Sequence, residues 1–295
     1  MDNIISTLTN TFTLSFVVTS MFSLGLAMTV KDILTPLRNL RLVIGMLLAS
    51  FVILPVAGFF ITRILSLEAD LQIGVLLMSS VAGAPLTIKA SQIARGNMKF
   101  AGALVVLQVL VTVIYLPFVL PLLIPGIQVD VMAIALPLIV QILLPLAAGI
   151  LMNYRYDEEA EMTRPIMSEI SNISLGLMIV LNLGNIGDVL GLLGTGAILA
   201  VLLVIALGFV AGYALGGPDF GTRKVLSIGT AQRNYAAAFV LAGGNFADRP
   251  NVFLLLLSAS LISMILVMIV AGEFRKRAEP KVVPVLEPAS ESDLQ

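Results

Sequence analysis

Long apolar runs separated by short polar punctuation dominate this chain. About twenty apolar residues suffice to cross a bilayer as a helix. Runs of that kind occur at 12–30, 42–62, 71–94, 100–124, 131–153, 170–187, 195–215, 225–246 and 251–272. The pattern predicts nine membrane-spanning helices. The runs are continuous rather than alternating, which argues against a barrel of ten-residue strands. Only helices and closed barrels satisfy their backbone groups in lipid. The expected fold class is therefore an all-α polytopic membrane protein. Its connections are short. The longest internal one, Tyr154–Ser168, carries Asp157, Glu158, Glu159 and Glu161 against Arg155 and Arg164, and reads as a solvated loop. The chain divides into one transmembrane unit, 1–274, and a polar, Pro-rich tail, 275–295, expected to be disordered and cytoplasmic.

Two runs are interrupted by charge. Lys89 lies within Leu71–Ala94, and Arg233 within Val225–Ala247. An ionisable side chain at mid-membrane costs at least about 2.5–3.5 kcal/mol on insertion scales, so each is a functional candidate. Both lie near helix breakers, Gly83-Ala84-Pro85 in one run and Gly229-Thr230 in the other. Matched interruptions in two halves of a chain are the best sequence pointer to a transporter's binding site. The interrupted runs are the third and the eighth. An odd offset gives them opposite orientations, so spans 1–4 and 6–9 can form an inverted repeat.

Each candidate has a plainer reading. Pro85 removes a backbone donor and clashes one turn back, which alone would give a packed kink. Lys89 lies only about 9 Å from Arg95 along a helix, so it could reach the interface by snorkelling. Arg233 is too deep for that and carries a planar fork suited to carboxylate; its plainer reading is a structural helix–helix bond. Its flanking Gln232 and Asn234 are polar too. Asn182, Asn185, Gln108 and Gln141 read as interhelical glue.

Composition narrows the chemistry. The chain of 295 residues is 58% hydrophobic and 12% charged, with a mean hydropathy of +1.04, which no soluble surface tolerates. Cysteine and histidine are absent. Thiolate metal sites, disulfides and cysteine nucleophiles are excluded, and so is the common proton shuttle. No HExxH, P-loop or membrane-embedded acid pair is present, and an enzyme is not expected. Met1-Asp2-Asn3 precedes the first cation, Lys31, so the first run is expected to stay as a span rather than be cleaved. Thirteen cations fall on one side of the predicted topology, including Arg38, Arg41, Arg223, Lys224 and Arg275; only Arg63 and Arg249 fall on the other. The positive-inside rule makes the first side cytoplasmic, with the N-terminus outside and the C-terminus inside. A plasma (inner) membrane is the expected location, and nothing points to nucleic acid.

The residues in these runs resemble the bile acid:sodium symporter family. The likeness rests on Met21-Phe22-Ser23-Leu24-Gly25-Leu26, Phe51-Val52-Ile53-Leu54-Pro55, Ala94-Arg95-Gly96-Asn97 and Gly229-Thr230-Ala231-Gln232-Arg233-Asn234, in order, between about Ser20 and Gly272. The resemblance implies a core (about 42–124 and 195–272) and a panel (about 12–30 and 131–187), with an organic anion bound between them near two crossing, broken helices. It also implies sodium ligands that this chain lacks. The Ser-Asn pair after the first crossing reads Thr87-Ile88, and a following Ser and Thr align with Ala101 and Val105. A Gln falls on Ser50 and a Glu on Ile228, while Gln232 is retained. A hard cation needs several oxygen ligands, which Ile, Ala and Val do not supply.

The expectation is thus a secondary transporter of a small organic anion with degenerate sodium sites, Lys89 and Arg233 standing in for the ions. No cofactor or metal is expected, and sodium is not required. Lys89, Arg233, Gln232, Asn234 and Thr87 are the substrate-binding or charge-compensating candidates; Gly83, Pro85 and Gly229 are the helix breaks. Coupling is to protons through Lys89, or absent. The alternatives are a sodium symporter whose ligands align differently and a membrane receptor or scaffold that does not transport.

Overall fold

The computed structural model describes residues 2–34, 38–124, 131–182 and 191–277. All regular structure among them is helical: α1 (Asp2–Leu26), α2 (Val30–Leu34), α3 (Leu40–Ile64), α4 (Ala69–Ser80), α5 (Leu86–Ile93), α6 (Met98–Leu123), α7 (Val131–Arg155), α8 (Asp157–Asn182), α9 (Ala197–Leu215), α10 (Phe220–Ala231), α11 (Tyr235–Asn245) and α12 (Pro250–Lys276). Five of these, α3, α6, α7, α9 and α12, are long and apolar enough to cross a membrane. The helices α1 and α8 are as long, with 25 and 26 residues, but more polar. The predicted tail from residue 278 lies outside the described residues, as do Gly184, Asn185 and Asp188; Arg275 and Lys276 still belong to α12.

One expectation is corrected. The acidic stretch after Tyr154 is not a loop, because a helix starts at Asp157 and runs to Asn182. The reason is local. Asp157, Glu158 and Glu159 occupy the first turn, where carboxylates favour the positive end of the helix dipole. Their side chains are exposed, as the solvated reading requires.

The helices sort into two groups by contact. α1 packs along α8 and α7, and α8 also meets α7. The crossing of α1 and α7 is close: a side chain on Gly25 would lie 2.3 Å from the Leu146 carbonyl oxygen, and one on Gly149 2.4 Å from that of Phe22. Small residues let helices approach where no hydrophobic effect drives them together. In the second group α9 lies along α10, α12 along α4, and α3 against α4. The groups meet through α11, which contacts α7 and α1, and through α6 against α7. Phe16 of α1 and Phe239 of α11 meet edge to face there, 6.5 Å between ring centroids.

Helices α3 and α7 each contain one π turn, at Ala49–Ile53 and Ile139–Leu143, and each turn precedes a Leu-Pro pair. Such turns commonly mark functional sites. In α3 the consequence can be followed bond by bond. The Leu54 amide donates to the Ala49 carbonyl, five residues back. The Ser50 carbonyl thereby loses its α-helical donor, and the next candidate, Pro55, has no N–H. Pro55 also deprives the Phe51 carbonyl of its α-helical donor; the Tyr115 hydroxyl donates to that carbonyl at 2.8 Å.

Candidate functional site

Two pairs of short helices meet at the centre of the second group. α4 ends at Ser80, residues 81–84 are non-helical, and α5 begins at Leu86 with Pro85 as its N-cap. α10 ends at Ala231, and α11 begins at Tyr235 with Asn234 as its N-cap. Gly83 adopts φ +90, and a side chain on it would fall 2.6 Å from the Val109 amide nitrogen. That conformation and that packing both require glycine. Pro85 suits a helix start, because its missing donor is unneeded there. Gly229, expected as the second break, is instead helical within α10. It serves close packing: an added carbon would sit 2.6 Å from a Leu104 methyl and 3.2 Å from that of Thr87. The helix itself ends two residues later, at Ala231.

The last carbonyls of a helix have no internal partner. Here a side chain supplies one. Arg233 is fully buried. Its Nε donates to the Met78 carbonyl at 3.0 Å, and its Nη2 to those of Ser79 at 2.8 Å and Ser50 at 3.1 Å. Its Nη1 donates to the Thr230 carbonyl at 3.1 Å. One guanidinium thus closes the C-terminal ends of α4 and α10 and takes the carbonyl orphaned by the π turn of α3. Each helix C-terminus carries roughly half a negative charge. Two such ends balance one guanidinium without a carboxylate, and among the described residues Arg233 makes no ion pair.

Asn234 ties the two interruptions together. Its Nδ2 donates to the Gly83 carbonyl at 3.1 Å, and its Oδ1 accepts from the Ala237 amide at 3.2 Å, capping α11. Gln232 turns the other way: its Oε1 accepts from the Ser263 hydroxyl of α12 at 3.0 Å. Thr112 braces the first interruption, accepting from the Ala82 amide at 3.0 Å and donating to the Ala82 carbonyl at 3.1 Å. Gln108 of α6 donates to the Ser50 hydroxyl at 2.7 Å, as interhelical glue would.

Around Gly229 lie buried polar atoms without a hydrogen-bond partner among the described residues: Thr87 Oγ1, Thr230 Oγ1 and Gln108 Oε1. Thr87 faces Gly229 closely, and the Gln108 amide nitrogen is 3.5 Å from the Gly229 carbonyl. Buried polar groups are almost always paired, and these three atoms are exceptions.

The structure brings Arg233, Gln232, Asn234, Thr87, Gly83 and Gly229 together. It does not bring in Lys89, whose side chain is exposed on α5. A second buried cation does exist. Lys224, assigned by its sequence position to a cytoplasmic loop, is 2% exposed on α10. Its Nζ donates to the Ala94 carbonyl at 3.0 Å and lies 4.4 Å from the centre of the Phe220 ring. Ala94 is the C-cap of α5, so Lys224 closes the far end of the first pair as Arg233 closes its middle. Sequence reasoning missed Lys224 because a lysine immediately before the apolar run 225–246 looks like an interfacial anchor. It missed Ser50, Met78 and Ser79 because their carbonyls, not their side chains, carry the contact.

Residues 13–192 match the model of the sodium bile acid symporter family, more than half of the chain. The Arg233 segment lies outside that match. Over 263 residues the chain is 23% identical to "Probable sodium/metabolite cotransporter BASS1, chloroplastic" of Arabidopsis thaliana, covering 88% of this chain and 65% of that one. Over 232 residues it is 28% identical to "Probable sodium/metabolite cotransporter BASS2, chloroplastic" of Oryza sativa subsp. japonica, covering 77% and 55%. The aligned parts thus span between about half and two thirds of these relatives, and both are named as transporters, not enzymes. From its apolar helices and the extent of the family match, this integral membrane protein belongs to the sodium bile acid symporter family.

Proposed function

We propose that the chain is a secondary carrier of a small organic anion, working by alternating access, in which Arg233 supplies the cation at the helix crossing and no sodium ion is required. The observation that carries this reading is the guanidinium enclosed by four backbone carbonyls from α3, α4 and α10. Carbonyl oxygens at helix C-termini are the kind of ligand a hard cation takes, and here a covalently attached cation already holds them. A fixed charge cannot dissociate, so it removes the reason for ion coupling at that point.

In this reading α4 with α5, and α10 with α11, each form one interrupted span. Together with α1, α3, α6, α7, α8, α9 and α12 they make nine, with the N-terminus outside and the C-terminus cytoplasmic. The two interrupted spans run in opposite directions, as halves of an inverted repeat. α1, α7 and α8 form the panel, and the remaining spans form the core that moves against it. The N-terminal ends of α5 and α11 begin at the crossing, where a helix end favours an anion. Thr87, Thr230 and Gln108 contribute polar contacts to the substrate, while Gln232 and Asn234 hold the crossing in shape. Lys89, exposed on the same half-helix as Thr87, draws the anion inward and is the candidate for proton coupling.

A second reading has specific support: both relatives are named sodium/metabolite cotransporters. The reconstituted full chain separates the two. Counterflow of labelled small carboxylates is measured in proteoliposomes with sodium or potassium on both sides. Equal counterflow in the two salts supports the proposal. Counterflow only in sodium replaces it with a sodium symporter. No counterflow with any carboxylate in either salt, from protein that is folded and monodisperse, overturns transport in favour of a receptor.

A further inference from the structure

We propose that the cleft between the start of α3 and the α9–α10 connection binds the phosphate headgroup of an anionic phospholipid. This site is separate from the helix crossing, and the inference does not rest on the transport reading.

The cleft is a cavity of about 290 Å³ whose lining includes Arg41, Ile44 and Leu48 of α3, Leu215 of α9, and Pro218 and Arg223 beyond it. Two guanidiniums therefore flank an otherwise largely apolar space. Arg223 is held in place: its Nε donates to the Gly217 carbonyl, and its Cζ lies 5.5 Å from the centre of the Tyr213 ring. Arg41 is exposed and, among the described residues, forms no ion pair. The nearby acid, Asp219, is engaged in capping α10, its Oδ2 accepting from the Thr222 amide at 2.7 Å. A pair of arginines without carboxylate partners suits phosphate, which the planar fork binds through two parallel hydrogen bonds.

The apolar wall identifies the phosphate as that of a lipid. Leu40, Ile44, Leu48, Val52, Val56 and Phe60 are all exposed and recur at every fourth residue along α3. The π turn at Ala49–Ile53 helps keep this stripe on one side of the helix. The stripe begins at the cleft and continues toward the opposite end of the bundle. An acyl chain can lie along it while the headgroup sits between Arg41 and Arg223. Basic pockets between membrane helices at an interface take anionic headgroups in this way. Arg38 and Lys224 lie at the same end of these helices and add to the positive field.

The test uses the full chain in neutral detergent and reads the thermal unfolding midpoint during titration with phosphatidylglycerol, phosphatidylcholine or soluble glycerol 3-phosphate. Phosphatidylglycerol should raise the midpoint saturably, and the other two should not. Arg41→Gln should raise the half-saturating concentration about tenfold, the loss expected for one charge-assisted contact, whereas the exposed Lys99→Gln should leave it unchanged. Because Arg223→Gln would disturb the Gly217 turn, Arg41 carries the test. Equal effects of the two lipids, or wild-type behaviour of Arg41→Gln, overturn the proposal. The same saturable gain from glycerol 3-phosphate overturns the lipid assignment and leaves a site for soluble phosphate esters.

Discussion

The guanidinium of Arg233 lies 2.8 Å from the carbonyl oxygen of Ser79, two residues before the chain leaves the helical path. The pair joins a side chain from the second interruption to the backbone of the first, across 154 residues. Removing the side chain would leave the carbonyls of Met78, Ser79, Ser50 and Thr230 buried without this donor. We expect Arg233→Ala to cost about 3–5 kcal/mol, the range for breaking a buried charged arrangement by removing one partner. Arg233→Lys should fall between, because it keeps the charge but not the fork. Denaturation in detergent measures both. An alanine variant as stable as the wild type would mean that the carbonyl contacts contribute nothing.

Asn234 serves two ends at once, so its two bonds can be separated. Asn234→Ala loses the cap of α11 and the bond to Gly83, and should cost about 2 kcal/mol. Asn234→Ser keeps a capping hydroxyl but is too short to reach Gly83, and should recover about half of that. Equal stability of the two variants would show that the bond between the interruptions carries the whole effect.

Gly83→Ala combines a left-handed backbone with a collision against α6. The backbone term alone costs about 1–2 kcal/mol, and the carbon would also lie 2.8 Å from the Val105 carbonyl oxygen. We expect little folded protein by size exclusion. Gly229→Ala should be milder on the backbone, since Gly229 is helical, but must displace Leu104. Normal expression and stability of Gly83→Ala would show that this segment adopts another conformation.

Much of the fold is legible in the sequence because apolar run length is a direct consequence of bilayer thickness. The runs at 42–62, 100–124 and 251–272 agree with α3, α6 and α12 to within a few residues. The interruption at Gly83 is legible too, since glycine before proline disfavours helix continuation. The second one is displaced from Gly229 to Gln232–Asn234 because glycine breaks a helix only where the backbone needs its freedom. Gly229 is required by a neighbour, which no local pattern reveals. Arg233 stands out as a charge in an apolar run, but its partners are backbone atoms and carry no sequence signal. Sequence places Lys89 inside an apolar run and Lys224 at the edge of one; the rotation of each helix exposes the first and buries the second.

That difference predicts opposite behaviour. Lys89→Gln should change stability by less than about 0.5 kcal/mol, as for an exposed site, whereas Lys224→Gln loses the bond to Ala94 and should cost about 1.5–3 kcal/mol. If Lys89 couples transport to protons, Lys89→Gln will flatten uptake against pH while leaving transport in place. A pH profile identical to the wild type removes Lys89 from the mechanism.

In the proposed mechanism Arg233 occupies, as part of the chain, the place of a bound cation. A ligand that binds only the folded state stabilises it by mass action. The direct test is the thermal unfolding midpoint of the purified wild-type protein, titrated with sodium chloride at constant ionic strength against potassium chloride. The account predicts no difference between the two salts at any concentration. A saturable rise specific to sodium would contradict it.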